Sequence, residues 1–303
     1  MFRSLGLCAL LLTSPLAAQD PEFPPEKLKK IATEGLTRAD VKDGRVVETD
    51  HLIVASGLTE PKAKAAADAA EKMYVRAHKA LKFDAPASPE PKTLLYLFPD
   101  IDAYRSFKRN VLKERAADDE FAMQDVKGDY LLIALAPRRG EKSPKFDALA
   151  AEEVGKALLV KKGGPNARIT EWMKDGFVKA VNWRAAPGTV GPERGRSRQL
   201  APRIPKGWKG TNVVQLAWTG TGADKDAIGT TLMDFLTFGP GAEKLPLVLG
   251  ALVPTDEVMD PKPEQALLAP GWKLDEIEYL YRDWLAKGSP ENKPADPKAG
   301  AKK

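Results

Sequence analysis

Apolar residues recur along this chain in two rhythms, and the switches between them mark out strands and helices. Residues 46–56, including Asp50-His51-Leu52-Ile53-Val54, predict one strand. Across residues 60–83, Ala63, Ala66, Ala67, Ala70, Met73, Tyr74, Ala77 and Leu81 fall at helical spacing and predict one long helix. Residues 93–98 are almost continuously apolar, as expected of a central strand covered on both faces. Asp100 stands in N-cap position before a helix expected over 101–115, with Tyr104, Phe107 and Val111 inward. A further strand is expected over 129–135, closed by Pro137.

Residues 146–183 read as two amphipathic helices joined by a turn. Phe146, Leu149, Ala150, Val154, Ala157 and Leu158 make the first apolar stripe. Ile169, Trp172, Met173, Phe177, Ala180 and Val181 make the second, with Gly176 in its middle allowing a close approach by another element. Between them, Lys161-Lys162-Gly163-Gly164-Pro165 supplies cations for a helix C-terminus, a glycine stop and a proline breaker. Residues 211–287 read as a helical lobe, with helices near 212–218, 226–238, 242–252, 263–268 and 274–286.

Glu153 lies inside the first stripe instead of on its solvent side. A buried carboxylate costs several kcal/mol unless it is paired or protonated. Here Glu152-Glu153-Val154-Gly155-Lys156 on one helix is followed by Trp172-Met173-Lys174-Asp175-Gly176-Phe177 on the next. The layout resembles the metal-binding core of gluzincin metallopeptidases, the thermolysin-like or peptidase MA-like group, as found in secreted bacterial proteins. That family carries His-Glu-x-x-His on its first site helix and Trp-x-x-Glu-Gly on its second. The resemblance spans roughly residues 50–287, and its motifs are specific across 146–183. It implies an α+β fold of thermolysin-like architecture: a small mixed sheet with packed helices, followed by a helical lobe. It further implies that an edge strand lines a substrate cleft, with residues 130–135 as the counterpart.

Against that pattern the two histidine positions are Glu152 and Lys156, the third ligand position is Asp175, and only Glu153, the family's general base, keeps its identity. Zinc favours imidazole, carboxylate or thiolate donors with one position left for water. A protonated lysine has no lone pair and repels the ion, so no metal and no other cofactor is expected. Glu152 to Lys156 is an i,i+4 pair and Glu153 to Lys156 an i,i+3 pair. Either the Lys156 ammonium sits where the metal sat and neutralises Glu153, Glu152 and Asp175, or Glu152 and Lys156 form a solvated surface pair. Glu152, Glu153, Lys156 and Asp175 are therefore vestigial site positions, with no catalytic residue expected.

The expected function is that of an exported, non-catalytic peptidase-like domain that binds or scaffolds a protein or peptide in the cell envelope or outside the cell. One alternative is a zinc-free hydrolase using Glu153 and Asp175 as an acid–base pair, or else Lys156 as an oxyanion stabiliser. Another is a weakly active zinc enzyme ligated by Glu152, Glu153 and Asp175, although all-carboxylate sites suit harder ions.

Composition narrows this further. The 303 residues are 43% hydrophobic, enough for a sizeable core, and the formal charge of +5 does not by itself call for nucleic acid. Residues 1–18 read as a secretory signal peptide: Arg3, an apolar stretch over 5–12, then Leu16-Ala17-Ala18. That apolar stretch is too short to span a bilayer, and no transmembrane span is expected in the mature chain. Cys8, the one cysteine, falls inside this segment. The mature chain then has no thiol, and with two histidines in all, three-imidazole and thiolate zinc sites are excluded. His51 and His78 are expected to be ordinary packed or half-exposed side chains.

Residues 19–45 read as a proline-rich leader and 46–186 as the peptidase-like lobe. Residues 187–210 read as a basic Gly/Pro-rich loop with Arg194, Arg196, Arg198, Arg203, Lys206 and Lys209, either a solvated connector or an anion-binding patch. Only Trp208 interleaves with these cations, so the stacking platform that single-stranded nucleic acid needs is missing. Residues 288–303 read as a disordered tail.

Overall fold

A computed structural model of the chain describes residues 23–83, 90–127, 130–164, 166–186, 192–205, 210 and 212–291. Its frame is a five-stranded mixed sheet. β1 (Arg45–Glu48) is antiparallel to β2 (Leu52–Ser56), which is parallel to β3 (Thr93–Leu97). β3 is parallel to β5 (Tyr130–Leu135), and β4 (Ala122–Lys127) closes the sheet antiparallel to β5. β3 thus lies in the middle, as its uninterrupted apolar run requires.

Period-two alternation divides the strands between two cores. Leu52 and Val54, Leu95 and Leu97, and Leu131, Ile133 and Leu135 face one side. That side is covered by α2 (Glu60–Ala80) and α4 (Phe146–Gly163). Ile53 and Ala55, Leu94 and Tyr96, and Leu132 and Ala134 face the other. There α1 (Pro25–Arg38) and α3 (Ile101–Phe107) form the cover. Every apolar position anticipated on α2 is buried. Asp100 caps α3 as anticipated, accepting from the N–H groups of Asp102 and Ala103.

Several expectations are corrected. Residues 46–56 are two strands of a hairpin, because the polar turn Thr49-Asp50-His51 is fastened to α2. Glu71 Oε2 accepts from Thr49 Oγ1 at 2.6 Å and from the His51 N–H at 3.1 Å. The helix after Asp100 does not reach Arg115; it widens into a π turn over Lys108–Leu112 and stops at Lys113, whose φ is +60°. The leader 19–45 holds α1: Pro25 occupies a first-turn position, where its missing N–H costs nothing, and Leu28, Ala32 and Leu36 are buried on the sheet.

The expected edge strand is also displaced by one. β5 is covered on both sides, and the edge is β4, which the pattern of residues 122–127 does not announce. The loop 187–210 contains α6 (Pro192–Leu200), and part of the tail is ordered: Ser289 is buried and Pro290 O accepts from Trp284 Nε1. The rest of the tail, the signal segment, Lys206 and Lys209 lie outside the described residues.

α5 (Glu171–Ala185) follows α4 after the Gly164 turn, whose φ is +97°. It packs on α8 (Gly222–Phe238) so closely that a Cβ at Gly176 would sit 2.9 Å from Gly229 O. The remaining lobe comprises a 3₁₀ turn Val213–Gln215 leading into α7 (Leu216–Thr219), then α9 (Leu245–Gly250), α10 (Pro263–Leu268) and α11 (Leu274–Ala286). Glu278 of α11 accepts from the N–H groups of Val213 and Val214, both at 3.0 Å, and pairs with Arg282. Among the described residues no helix is long and apolar enough to cross a membrane.

Candidate functional site

The apolar stripes of α4 and α5 fix where their polar intrusions meet. Val154, Ala157 and Leu158 anchor α4 to the core, so one turn of α4 must present Glu153 and Lys156 inward as well. Gly155 permits this, since a Cβ there would meet Val178 Cγ2 at 2.8 Å and Met73 Sδ at 3.2 Å. Met173 and Phe177 anchor α5, which carries Asp175 to the same spot.

The four residues singled out from the sequence converge on one atom. Lys156 Nζ lies 2.7 Å from Glu152 Oε1, 2.9 Å from Asp175 Oδ1 and 3.3 Å from Glu153 Oε1. Glu153 and Lys156 are buried, whereas Glu152 and Asp175 stand at the rim. The second Glu153 oxygen accepts from Gln124 Nε2, which reaches over from β4. The solvated surface pair is therefore not what forms.

Burial pushes the Glu153 carboxyl above the usual carboxylate range, against the pull of Lys156 and the Gln124 hydrogen bond. For Lys156 burial acts in the opposite sense, but Glu153, Glu152 and Asp175 more than offset it, and the ammonium is held above the usual lysine range. A charged, hydrogen-bonded ammonium offers no lone pair to a metal, and it fills the space the three carboxylates share. Among the described residues no group of three or more His, Cys, Asp or Glu side chains is placed to hold a metal ion. The donor set does not fit zinc.

An open cleft of about 720 Å³ runs between β4 and the facing turns of α4 and α5. The ion cluster lies on its wall, with Lys174 and Glu171 at one side and Arg138 at the other. The pairing of Phe121 O with Ala136 N fixes the phase of the β4–β5 ladder. Alternation then turns the backbone N–H and C=O groups of Ala122, Gln124 and Val126 away from β5, toward the free edge.

The histidines take no part. His51 Nδ1 pairs with Glu71 Oε1 at 2.5 Å, and both rings stack on Tyr74, with centroids 4.6 and 5.8 Å away. Burial lowers the His78 pKa. Among the described cations of 187–210, Arg194 binds Asp234, Arg196 binds Asp224 and Arg203 binds Asp283.

Two features escaped the sequence reading. Gln124 is one, since nothing in residues 122–127 marks a strand facing the cluster. The other is Asp234, wholly buried on α8, with Arg184 Nε and Arg194 Nη2 each 2.8 Å from its oxygens. Its signal was available: Leu232-Met233-Asp234-Phe235-Leu236 interrupts an apolar run just as Glu153 does. No protein-family model matches this sequence, and no curated protein matches it.

Proposed function

We propose that this chain is an exported domain of thermolysin-like, gluzincin ancestry whose metal chemistry has been replaced by an ion cluster, and that it binds an extended peptide without cleaving it. The observation that carries the reading is Lys156 Nζ within 3.3 Å of Glu152, Glu153 and Asp175, at the position where the family's pattern requires an imidazole. The lysine removes the Lewis acid and stabilises the helix pair that once held it. Export rests on the signal-peptide pattern of residues 1–18 and places the protein in the periplasm or outside the cell.

The binding mode is strand addition. β4 offers outward backbone groups at Ala122, Gln124 and Val126 beside an open cleft, and an extended peptide satisfies them by adding a sixth strand. Casein-derived peptides, followed by fluorescence anisotropy and by mass spectrometry, test this. Peptide should bind and remain intact, and Val126→Pro, which deletes one outward N–H, should weaken binding about tenfold with the fold retained. Cleavage that a chelator abolishes, or binding indifferent to Val126→Pro, overturns the proposal.

One observation favours a second reading, zinc-free hydrolysis. Glu153 is a carboxyl with a raised pKa on the wall of a cleft, as a general acid requires, and Asp175 stands across Lys156 from it. Hydrolysis that survives chelation but is lost in a folded Glu153→Gln variant would establish that reading in place of the first.

A further inference from the structure

A second cavity, of about 440 Å³, opens on a different part of α5, between the C-terminal ends of α2, α5 and α8. Its charge is lopsided. Among the described residues Arg76, Lys79, Lys82 and Arg184 line it, against the one carboxylate of Glu291. Arg76, Lys79 and Lys82 are exposed, and none of them makes an ion pair among the described residues. Lys162 adds a further cation nearby, its Nζ donating to Lys82 O at 3.2 Å. By contrast, Lys161 and Arg196 have carboxylate partners, Glu90 and Asp224.

Two polar atoms of the wall have no hydrogen-bond partner among the described residues: the hydroxyl of Thr237, a residue only 4% exposed, and Arg184 Nη2, whose neighbouring Nε holds Asp234. A buried donor left unmade is costly, so its presence calls for an explanation. Both groups are recessed from solvent. Thr237 lines the cavity, and a helical threonine has two accessible χ1 rotamers. Val181, Phe238 and Ala242 make the remaining wall apolar.

We propose that this cavity binds a phosphoryl oxyanion. Several diverging donors, from a hydroxyl, a guanidinium and three rim cations, suit a group with about two negative charges and three acceptor oxygens better than a planar carboxylate. Asp234 already takes one edge of Arg184, whose guanidinium lies over the rings of Phe238 and Trp284 and adds positive charge to the wall. The site is separate from the Lys156 cleft and does not depend on what that cleft does.

Titration of the full chain with inorganic phosphate in physiological chloride, followed by calorimetry and by thermal melting, tests this. Phosphate should bind at one site and raise the melting temperature, and sulfate and acetate should bind more weakly. A dihexanoyl phosphatidic acid arm identifies the source. Affinity about tenfold above that of phosphate means the apolar wall holds a lipid-like body, and equal affinity means a free or sugar-borne phosphate. Thr237→Val should fold, melt no lower than the parent, and lose about tenfold in phosphate affinity. The paired Lys79→Glu and Lys82→Glu exchange lies on the exposed rim and should abolish binding. Absence of saturable binding by either phosphate compound, or affinity unchanged in both variants, overturns the proposal.

Discussion

Two ion clusters share α5, and they are built in opposite senses. At Asp175 the helix joins a lysine ringed by three carboxylates, and nine residues later at Arg184 it joins an aspartate gripped by two guanidiniums. The first has excess acid and the second excess base. An excess of acid has an outlet, because a carboxyl can take up a proton, and Glu153 has its pKa raised by burial accordingly. Arginine has no accessible neutral form, so the Asp234 cluster has no comparable outlet and its balance rests on geometry. One cluster is therefore adjustable by pH and the other is a fixed brace.

The comparison breaks most visibly at the brace. Asp234→Ala strands two largely buried guanidiniums and should cost about 3–4 kcal/mol in urea unfolding at neutral pH. Lys156→Ala should cost somewhat less, about 2–3 kcal/mol at neutral pH, since Glu152 and Asp175 are half-exposed and Glu153 can protonate. Its cost should shrink on acidification, whereas a pH-independent loss would show that Glu153 is not the stranded group.

The two clusters are linked by the tight seat of α5 on α8. Gly176→Ala drives a Cβ toward Gly229 O and Met233, and backbone cannot yield as a side chain does. A loss of about 1–2 kcal/mol is expected from melting curves, while an unchanged melting temperature would mean the helices slide apart freely.

The smallest effect sharpens the comparison best. With its folded pKa above the unfolded value, Glu153 keeps a proton in the native chain that the unfolded chain has already released. Its contribution is therefore fully present below the ordinary glutamate pKa and is lost as pH rises through the raised one. Glu153→Gln should remove that slope and change stability at neutral pH by no more than about 1 kcal/mol. A slope that persists in the variant would assign it to another group.

How much of this was legible in the sequence follows from which forces hold each element. α2, β3, α4 and α5 are held by apolar faces, and their periodicity shows in the chain. The Lys156 cluster was legible because Glu153 broke such a stripe and Lys156 followed at pairing distance along the helix. β4 was not legible: all six of its residues are half-buried, so neither face stands out, and the edge was placed on β5 instead. α6 was hidden because Leu200 is its one apolar residue in contact with the core, and Arg194 to Asp234 and the buried Ser197 hydroxyl do the rest of the holding. α1 was obscured by Pro25, which reads as a breaker until its first-turn position is known.

The proposed function requires that the Lys156 ammonium, and not a divalent ion, occupies the space between Glu152, Glu153 and Asp175. Zinc content per chain, measured on the full-length protein after equilibration with excess zinc and removal of the free ion, tests it most directly. Far less than one bound ion per chain is expected, with no change in that value on Asp175→Ala. One tightly held zinc per chain that Glu152→Ala or Asp175→Ala releases would contradict it.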